Sequence, residues 1–330
     1  MIDYQKTKVL GVNPEHWRNH IELEFERKFI VKTGEIDTKE IASYLGLEFI
    51  IYYNHEQPDL VTSMWVKGSL HKYYCRLNGI YAPNQYNDYL KLKGYNGNNF
   101  TYLNFCEVLD DLENRFYVDF RYSSLHNIEY GINIKHELTT ALVLDGFILH
   151  NGVFFNSERG RLMYMQRAKK TQYEIKVYDK GLQYGELENV IRFEKKVRKM
   201  EHIKKLGINN LNDLRNLNKW EVLFHDLLKC WEELLFIDNL MKLDELSEID
   251  IIKVKDYKNP SYWTNIQPNR RDVHKKRYKA IELKHRANTK EIIRERIKSA
   301  YYQLVRIDSS VMESNITHYK IITTHYGLVG

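Results

Sequence analysis

Cysteine is scarce in this chain. Its 330 residues hold three, Cys75, Cys106 and Cys230, far apart and never in CxxC spacing. That spacing supports neither a zinc site nor a disulfide framework, and it points to a reducing compartment. Long apolar runs are missing too. None approaches the roughly 18 residues that a membrane-spanning helix needs. The N-terminal stretch lacks the basic-then-apolar order of a secretory signal. The expectation is a cytoplasmic protein with no membrane partner. No internal repeat and no low-complexity tail is found.

What is present bounds the rest. With 43% hydrophobic and 28% charged residues, the chain can build a real core. A formal charge of +6 mildly favours an anionic partner. Tyrosine is abundant, at 25 residues, and many fit strands.

The richest stretch is Tyr173 to Lys199. Tyr173, Ile175 and Val177 alternate with Glu174, Lys176 and Tyr178. Val190, Ile191 and Phe193 interleave with Arg192 and Glu194. Period-2 runs around Gly181 and Gly185 predict a strand pair joined by a long loop. Alternation puts Lys176, Tyr178 and Lys180 on one face, and likewise Arg192, Glu194 and Lys196. A phenol, a carboxylate and cations on one sheet surface suit the cutting of DNA. The same pattern also fits the solvated face of an ordinary sheet, and spacing leaves both readings open.

Elsewhere the pattern predicts an α+β fold. A short helix is expected over Lys39 to Tyr44, ending near Gly46. Phe49 to Tyr53 and Trp65 to Tyr74 read as strands, the second interrupted at Gly68, where a glycine marks a bulge or a close backbone. Lys67, His71, Lys72 and Arg76 make that stretch basic, fit either for phosphate or for protecting an edge. Residues 78–99 read as a surface loop with a short helix over Tyr86 to Leu92. Phe100 to Phe116 reads as an amphipathic helix. In Leu125 to Ile134, Ile128 faces the core and Glu129, Gly131 and Asn133 face away. Phe147 to Phe155 reads as a hairpin around Asn151-Gly152, and Gly160 to Tyr164 as a further strand.

After Lys199 the texture is helical, with a short helix to Lys205 and a long amphipathic one over Trp220 to Met241. Residues 253–306 concentrate cations, among them Arg270, Arg271, Lys275, Lys276 and Arg277, with aromatics interspersed. Such a stretch fits nucleic-acid contact or a solvated helical face. The expected division is a sheet domain over 1–200 and a helical, basic DNA-binding domain over 201–330.

Taken together, four segments resemble one family. VYDKG at Val177–Gly181 and IRFE at Ile191–Glu194 are similar to the Y-x-K and R-[FLY]-E strands of the replication initiation factors of rolling-circle plasmids and phages. IEYGINI at Ile128–Ile134 resembles that family's acidic strand. WVKGSLHKY at Trp65–Tyr73 resembles its G-S segment, and NPSYW at Asn259–Trp263 with the basic helices resembles its tail. The resemblance implies a core related to the HUH endonucleases, a central antiparallel sheet with flanking helices and a C-terminal helical region. It implies a site-specific DNA nick through a tyrosine linked to the 5′ phosphate, with Tyr178 as nucleophile. Glu129 and Glu194 would hold Mg²⁺ or Mn²⁺, and Lys180 and Arg192 would stabilise the pentacoordinate phosphorus. Lys67, His71 and Lys72, with the cations from Arg270 to Arg277, would contact origin DNA, single-stranded and duplex. A host helicase and a homodimer are the further partners implied.

The chain departs from the pattern in three places. It has no hydrophobic-His-hydrophobic-His pair, Glu stands at 129 for Asp, and Asn127 stands where Arg is common. Tyr164 is a rival nucleophile and Tyr173 a third. A mobilisation relaxase would use the same chemistry, and an origin-binding protein without nuclease activity would share the basic surface.

Overall fold

The computed structural model of the chain describes residues 1–30, 34–83, 94–285 and 288–306. It is an α+β protein. Its strands in chain order are β1 (Ile2–Val9), β2 (Glu26–Ile30), β3 (Glu35–Tyr44), β4 (Leu47–Tyr53), β5 (Val61–Ser69), β6 (Ser124–Lys135), β7 (Phe147–His150), β8 (Val153–Phe154), β9 (Asn156–Gly160), β10 (Met163–Lys169), β11 (Tyr173–Asp179), β12 (Val190–Val197) and β13 (Leu234–Phe236). Ten described strands form one antiparallel sheet in the order β2-β3-β4-β5-β1-β6-β12-β11-β10-β9. A small sheet, β13-β7-β8, lies beside it. The helices, in chain order, are α1 (Pro14–Arg18), α2 (Leu70–Leu77), α3 (Tyr102–Phe116), α4 (Thr140–Leu144), α5 (Lys180–Tyr184), α6 (Glu201–Lys205), α7 (Leu217–Glu232), α8 (Glu248–Lys258), α9 (Pro260–Asn265), α10 (Pro268–Lys284) and α11 (Thr289–Val305).

Alternation decides which face of the sheet is dry. Ile128, Tyr130, Ile132 and Ile134 of β6 and Phe193 and Val197 of β12 join one apolar core. Helices α3, α7 and α11 cover that face, contributing Phe105, Leu109, Trp220, Leu223, Ile293 and Ile297, each essentially removed from water. Truncating such a residue to Ala costs about 2–5 kcal/mol. A second cluster, including Leu149, Tyr257, Trp263, Tyr278 and Ile281, ties α8, α9 and α10 to the small sheet.

Turns fix the registers. Asn151 (φ 45°) and Gly152 (φ 80°) link β7 to β8 with both central residues in the left-handed region, the hairpin expected from Asn-Gly. Gly68 has φ +144°, and a Cβ there would lie 2.7 Å from the carbonyl oxygen of Gly46. The sequence expectation of a close backbone at that glycine is met.

Several element boundaries differ from the pattern. Residues 39–44 are strand, not helix. Lys39 to Tyr44 pair with Leu47 to Tyr52, and cross-strand pairing outweighs the weak local signal. Residues 70–74 are helical, because Ser69 ends the strand and caps α2 by accepting the Lys72 N–H at 3.1 Å. The long helix expected to reach Met241 stops at Glu232, and Leu234 to Phe236 turn into a strand paired with β7. Gly160 to Tyr164 span the β9–β10 turn rather than one strand. The helix expected over 86–92 lies outside the described residues.

Candidate active site on the open sheet face

Register builds the site. Three rows of side chains cross β11, β12 and β6 on the face away from the helices. Glu174, Lys196 and Glu129 form the first, Lys176, Glu194 and Gly131 the second, Tyr178, Arg192 and Asn133 the third. Gly131 leaves its place in the middle row empty, and Glu194 fills that space. A Cβ on Gly131 would stand 2.4 Å from Glu194 Cβ.

The rows lock into an ionic network. Lys176 Nζ bridges Glu129 Oε2, at 2.8 Å, and Glu194 Oε1. Lys196 Nζ holds Glu129 Oε1 at 2.6 Å. Arg192 Nε donates to Glu194 Oε2 at 2.6 Å, its Nη1 to Asn133 Oδ1 at 2.9 Å, and its Nη2 lies 3.2 Å from Asp3 Oδ2. The Tyr178 hydroxyl donates to Glu194 Oε2 at 3.2 Å.

A cover closes one end of this face. Asn133 Nδ2 donates to the carbonyls of Asn96, Gly97 and Asn98 at 3.0–3.1 Å. Asn96 in turn donates to Asp3 Oδ2 at 2.7 Å and accepts from Lys180 Nζ at 2.6 Å. Lys180 is not on the strand. It opens α5, whose N-cap is Asp179, and its ammonium sits 5.0 Å from the Tyr178 ring centre. Arg192, Glu194 and Lys180 are 3%, 1% and 1% exposed, whereas Tyr178, Lys176 and Lys196 stand at the open side.

The electrostatics follow from burial and these pairings. Burial works against ionised Glu194, but Lys176 and Arg192 outweigh it and hold the carboxyl down to about 2. Asp3 is depressed in the same way, burial opposing and Arg192 prevailing. Burial, reinforced by Glu194, raises the Tyr178 phenol well above its ordinary value. Burial and then Arg192 push Lys180 well below the lysine range. A carboxylate with a depressed folded pKa stabilises above its unfolded pKa and loses that contribution as pH falls to the folded value. The Glu194 contribution is therefore complete above about 4.5 and lost toward about 2. Urea midpoints measured across that range should fall steeply with acid, and the slope should flatten in Glu194→Gln.

The sequence-predicted residues separate into groups. Tyr178, Lys180, Arg192, Glu129 and Glu194 come together. The rival tyrosines do not join them. Tyr164 alternates with Met165 and Arg167, which oppose Tyr178 and Lys176, so it lies on the other face, bonded to Asp145 and Arg159. Tyr173 also faces the helix side, with His150 at 2.9 Å. Lys67 is on the open face, paired with Glu48 at 2.9 Å. Lys72 lies on α2 beside Gly94. His71 is corrected as a DNA contact. It is buried and bonded to Asn98 at 2.7 Å, and burial drops its pKa to about 3, so it carries no charge to offer a phosphate. Arg270, Arg271, Lys275, Lys276 and Arg277 all lie on α10, the first and last two exposed. Asp3 and Asn96 were missed by sequence reasoning. Only the pairing of β1 with β5 and β6 brings Asp3 here, and no local spacing signals it.

A divalent ion between Glu129 and Glu194 does not fit this arrangement. All four carboxylate oxygens are committed to Lys176, Lys196, Arg192 or Tyr178. The Lys176 ammonium stands where the metal would be. Among the described residues, no helix is long and apolar enough to cross a membrane.

No protein-family model matches this chain, and no curated protein matches it in sequence. Among solved structures it is similar to the rolling circle replication initiator protein from Geobacillus stearothermophilus. That match has a TM-score of 0.40 and 10% identity, and it covers 70% of this chain and 84% of that one. A likeness of this size assigns neither a residue nor an activity.

Proposed function

We propose that the protein initiates rolling-circle replication by nicking one DNA strand through Tyr178. One observation carries the reading. Of the three tyrosines weighed, Tyr178 alone stands on the open sheet face, beside Lys176, Lys180, Arg192, Glu129 and Glu194. The phenol oxygen attacks the phosphodiester, the 3′ oxygen leaves, and a tyrosine–5′-phosphate bond keeps the nick resealable. A neutral phenol must first give up its proton. The group within hydrogen-bond reach of that proton is Glu194 Oε2, at 3.2 Å. Lys176 and Lys196, at the open side, meet the phosphate charge. Arg192 is committed to Asp3, Glu194 and Asn133, so it positions the carboxylates rather than touching phosphorus. The sheet over 1–200 carries the chemistry and the helices of 201–330 grip DNA.

The test is incubation with supercoiled plasmid carrying the protein's own coding region and flanking DNA. A covalent protein–DNA adduct mapping by mass to Tyr178, and absent in Tyr178→Phe, is the expected result. An adduct on Tyr164 refutes the assignment of the site. No adduct on any duplex or single-stranded DNA supports a second reading, an origin-binding protein without nuclease activity, which the fully paired carboxylates favour.

The basic helix gives a separate expectation. If Arg270, Arg271, Lys275, Lys276 and Arg277 each neutralise a phosphate of duplex DNA, they should contribute about −4.5 to the slope of log affinity against log salt. Changing all five to Gln should make the slope shallower by about that amount in a fluorescence titration, leaving the share of Lys176 and Lys196. An unchanged slope removes α10 from the interface.

A further inference from the structure

On the opposite face of the sheet from Tyr178, the C-terminal end of α7 meets the small sheet. His150 ends β7, opposite Leu234. Cys230 lies in the last turn of α7, and Glu233 caps that helix. A ring nitrogen of His150, Sγ of Cys230 and a carboxylate oxygen of Glu233 all lie within 4.8 Å of one another. His150 is completely buried. Its Nε2 is 2.9 Å from the Tyr173 hydroxyl and 4.0 Å from Glu233 Oε2, and its Nδ1 has no partner.

We propose that His150, Cys230 and Glu233 bind a divalent ion of the zinc class. The donors are one nitrogen, one sulfur and one oxygen, a set that borderline-soft ions accept and Mg²⁺ or Ca²⁺ do not. Charge agrees. A thiolate and a carboxylate neutralise a divalent ion with a neutral imidazole, so the buried complex carries no net charge. Binding replaces the thiol proton: the S–H bond breaks, a sulfur–metal bond forms, and the proton leaves to solvent. The carbonyl end of α7 adds a partial negative charge. Two cations face the site. Lys195 is held by Asp226 at 2.6 Å and also hydrogen-bonds Cys230, and Lys170 acts on His150. Zinc–ligand bonds of about 2.0–2.3 Å place tetrahedral donors roughly 3.3–3.8 Å apart, so small side-chain rotations close the set. Glu233 is partly exposed and borders a cavity of about 830 Å³ between β13, α10 and α11, which gives the ion a path in.

The test is titration of the full chain with Co²⁺, which reports thiolate ligation by near-ultraviolet charge-transfer absorption. One ion per chain with that band is expected. The band should vanish in Cys230→Ser and persist in a Cys75→Ser/Cys106→Ser variant. Glu233→Gln, at a partly exposed position that folding tolerates, should weaken binding at least about tenfold, the size of effect that even outer partners of metal sites have. Zn²⁺ should displace Co²⁺ and raise the melting temperature of the natural sequence but not of Cys230→Ser. No charge-transfer band, or one that survives Cys230→Ser in folded protein, overturns the proposal.

Discussion

Arg192→Met should destabilise the protein by about 3–5 kcal/mol, the cost of removing one partner from a buried ion pair. The guanidinium joins Asp3 to Glu194 and is itself almost wholly buried. Methionine fills a similar volume, so the loss is electrostatic. Two carboxylates lose their shared cation, with Lys176 left beside Glu194 and Lys180 near Asp3. The melting temperature should drop by roughly 10 °C. The sign of the pH effect tells charge from packing. Without Arg192 both carboxyl pKa values rise, so mild acid should narrow the gap between variant and natural sequence. A gap constant from pH 7 to pH 4 would mean that the loss is packing alone.

Gly131→Ala comes next in size. The added methyl would meet Glu194 Cβ at 2.4 Å and the Phe193 carbonyl oxygen at 2.5 Å. The second is backbone in a central strand and cannot swing aside. Either β6 and β12 separate or Glu194 leaves its row. Overpacking of this kind costs about 1–3 kcal/mol, and the backbone clash places it at the upper end. Glu194→Gly in the same chain tests the cause. If contact with Glu194 dominates, the second change restores part of the lost stability. If the double variant is simply additive, the backbone clash dominates.

The centre of the fold was readable because its signal is local. Tyr173 to Asp179 and Val190 to Val197 alternate cleanly, and alternation alone predicts that Lys176, Tyr178, Arg192 and Glu194 share a face. Phe105, Val108, Leu109, Leu112 and Phe116 likewise mark α3 by their spacing. What the pattern missed depends on distant partners. Lys39 to Tyr44 has no strong period of its own and is strand because β4 pairs with it. Leu234 to Phe236 continues the apolar spacing of α7 without a glycine or proline, so nothing local marks the break. Asp3 and Asn96 reach the site from strand order and from a covering loop. Lys176 shows the same limit. Alternation gives its face, but only register shows that its ammonium stands between two carboxylates.

The place of β1 has a consequence for how the chain acquires its shape. It lies between β5 and β6, yet it precedes both by some sixty and one hundred and twenty residues in sequence. During synthesis it must stay unpaired until each partner emerges. Once β5 has paired with it, β1 still presents a bare edge until β6 is made, and bare edges recruit other chains. Non-local pairings of this kind also slow folding. Production at lower temperature, with slower synthesis and weaker hydrophobic association, should therefore raise the soluble fraction more than added salt or ligand does.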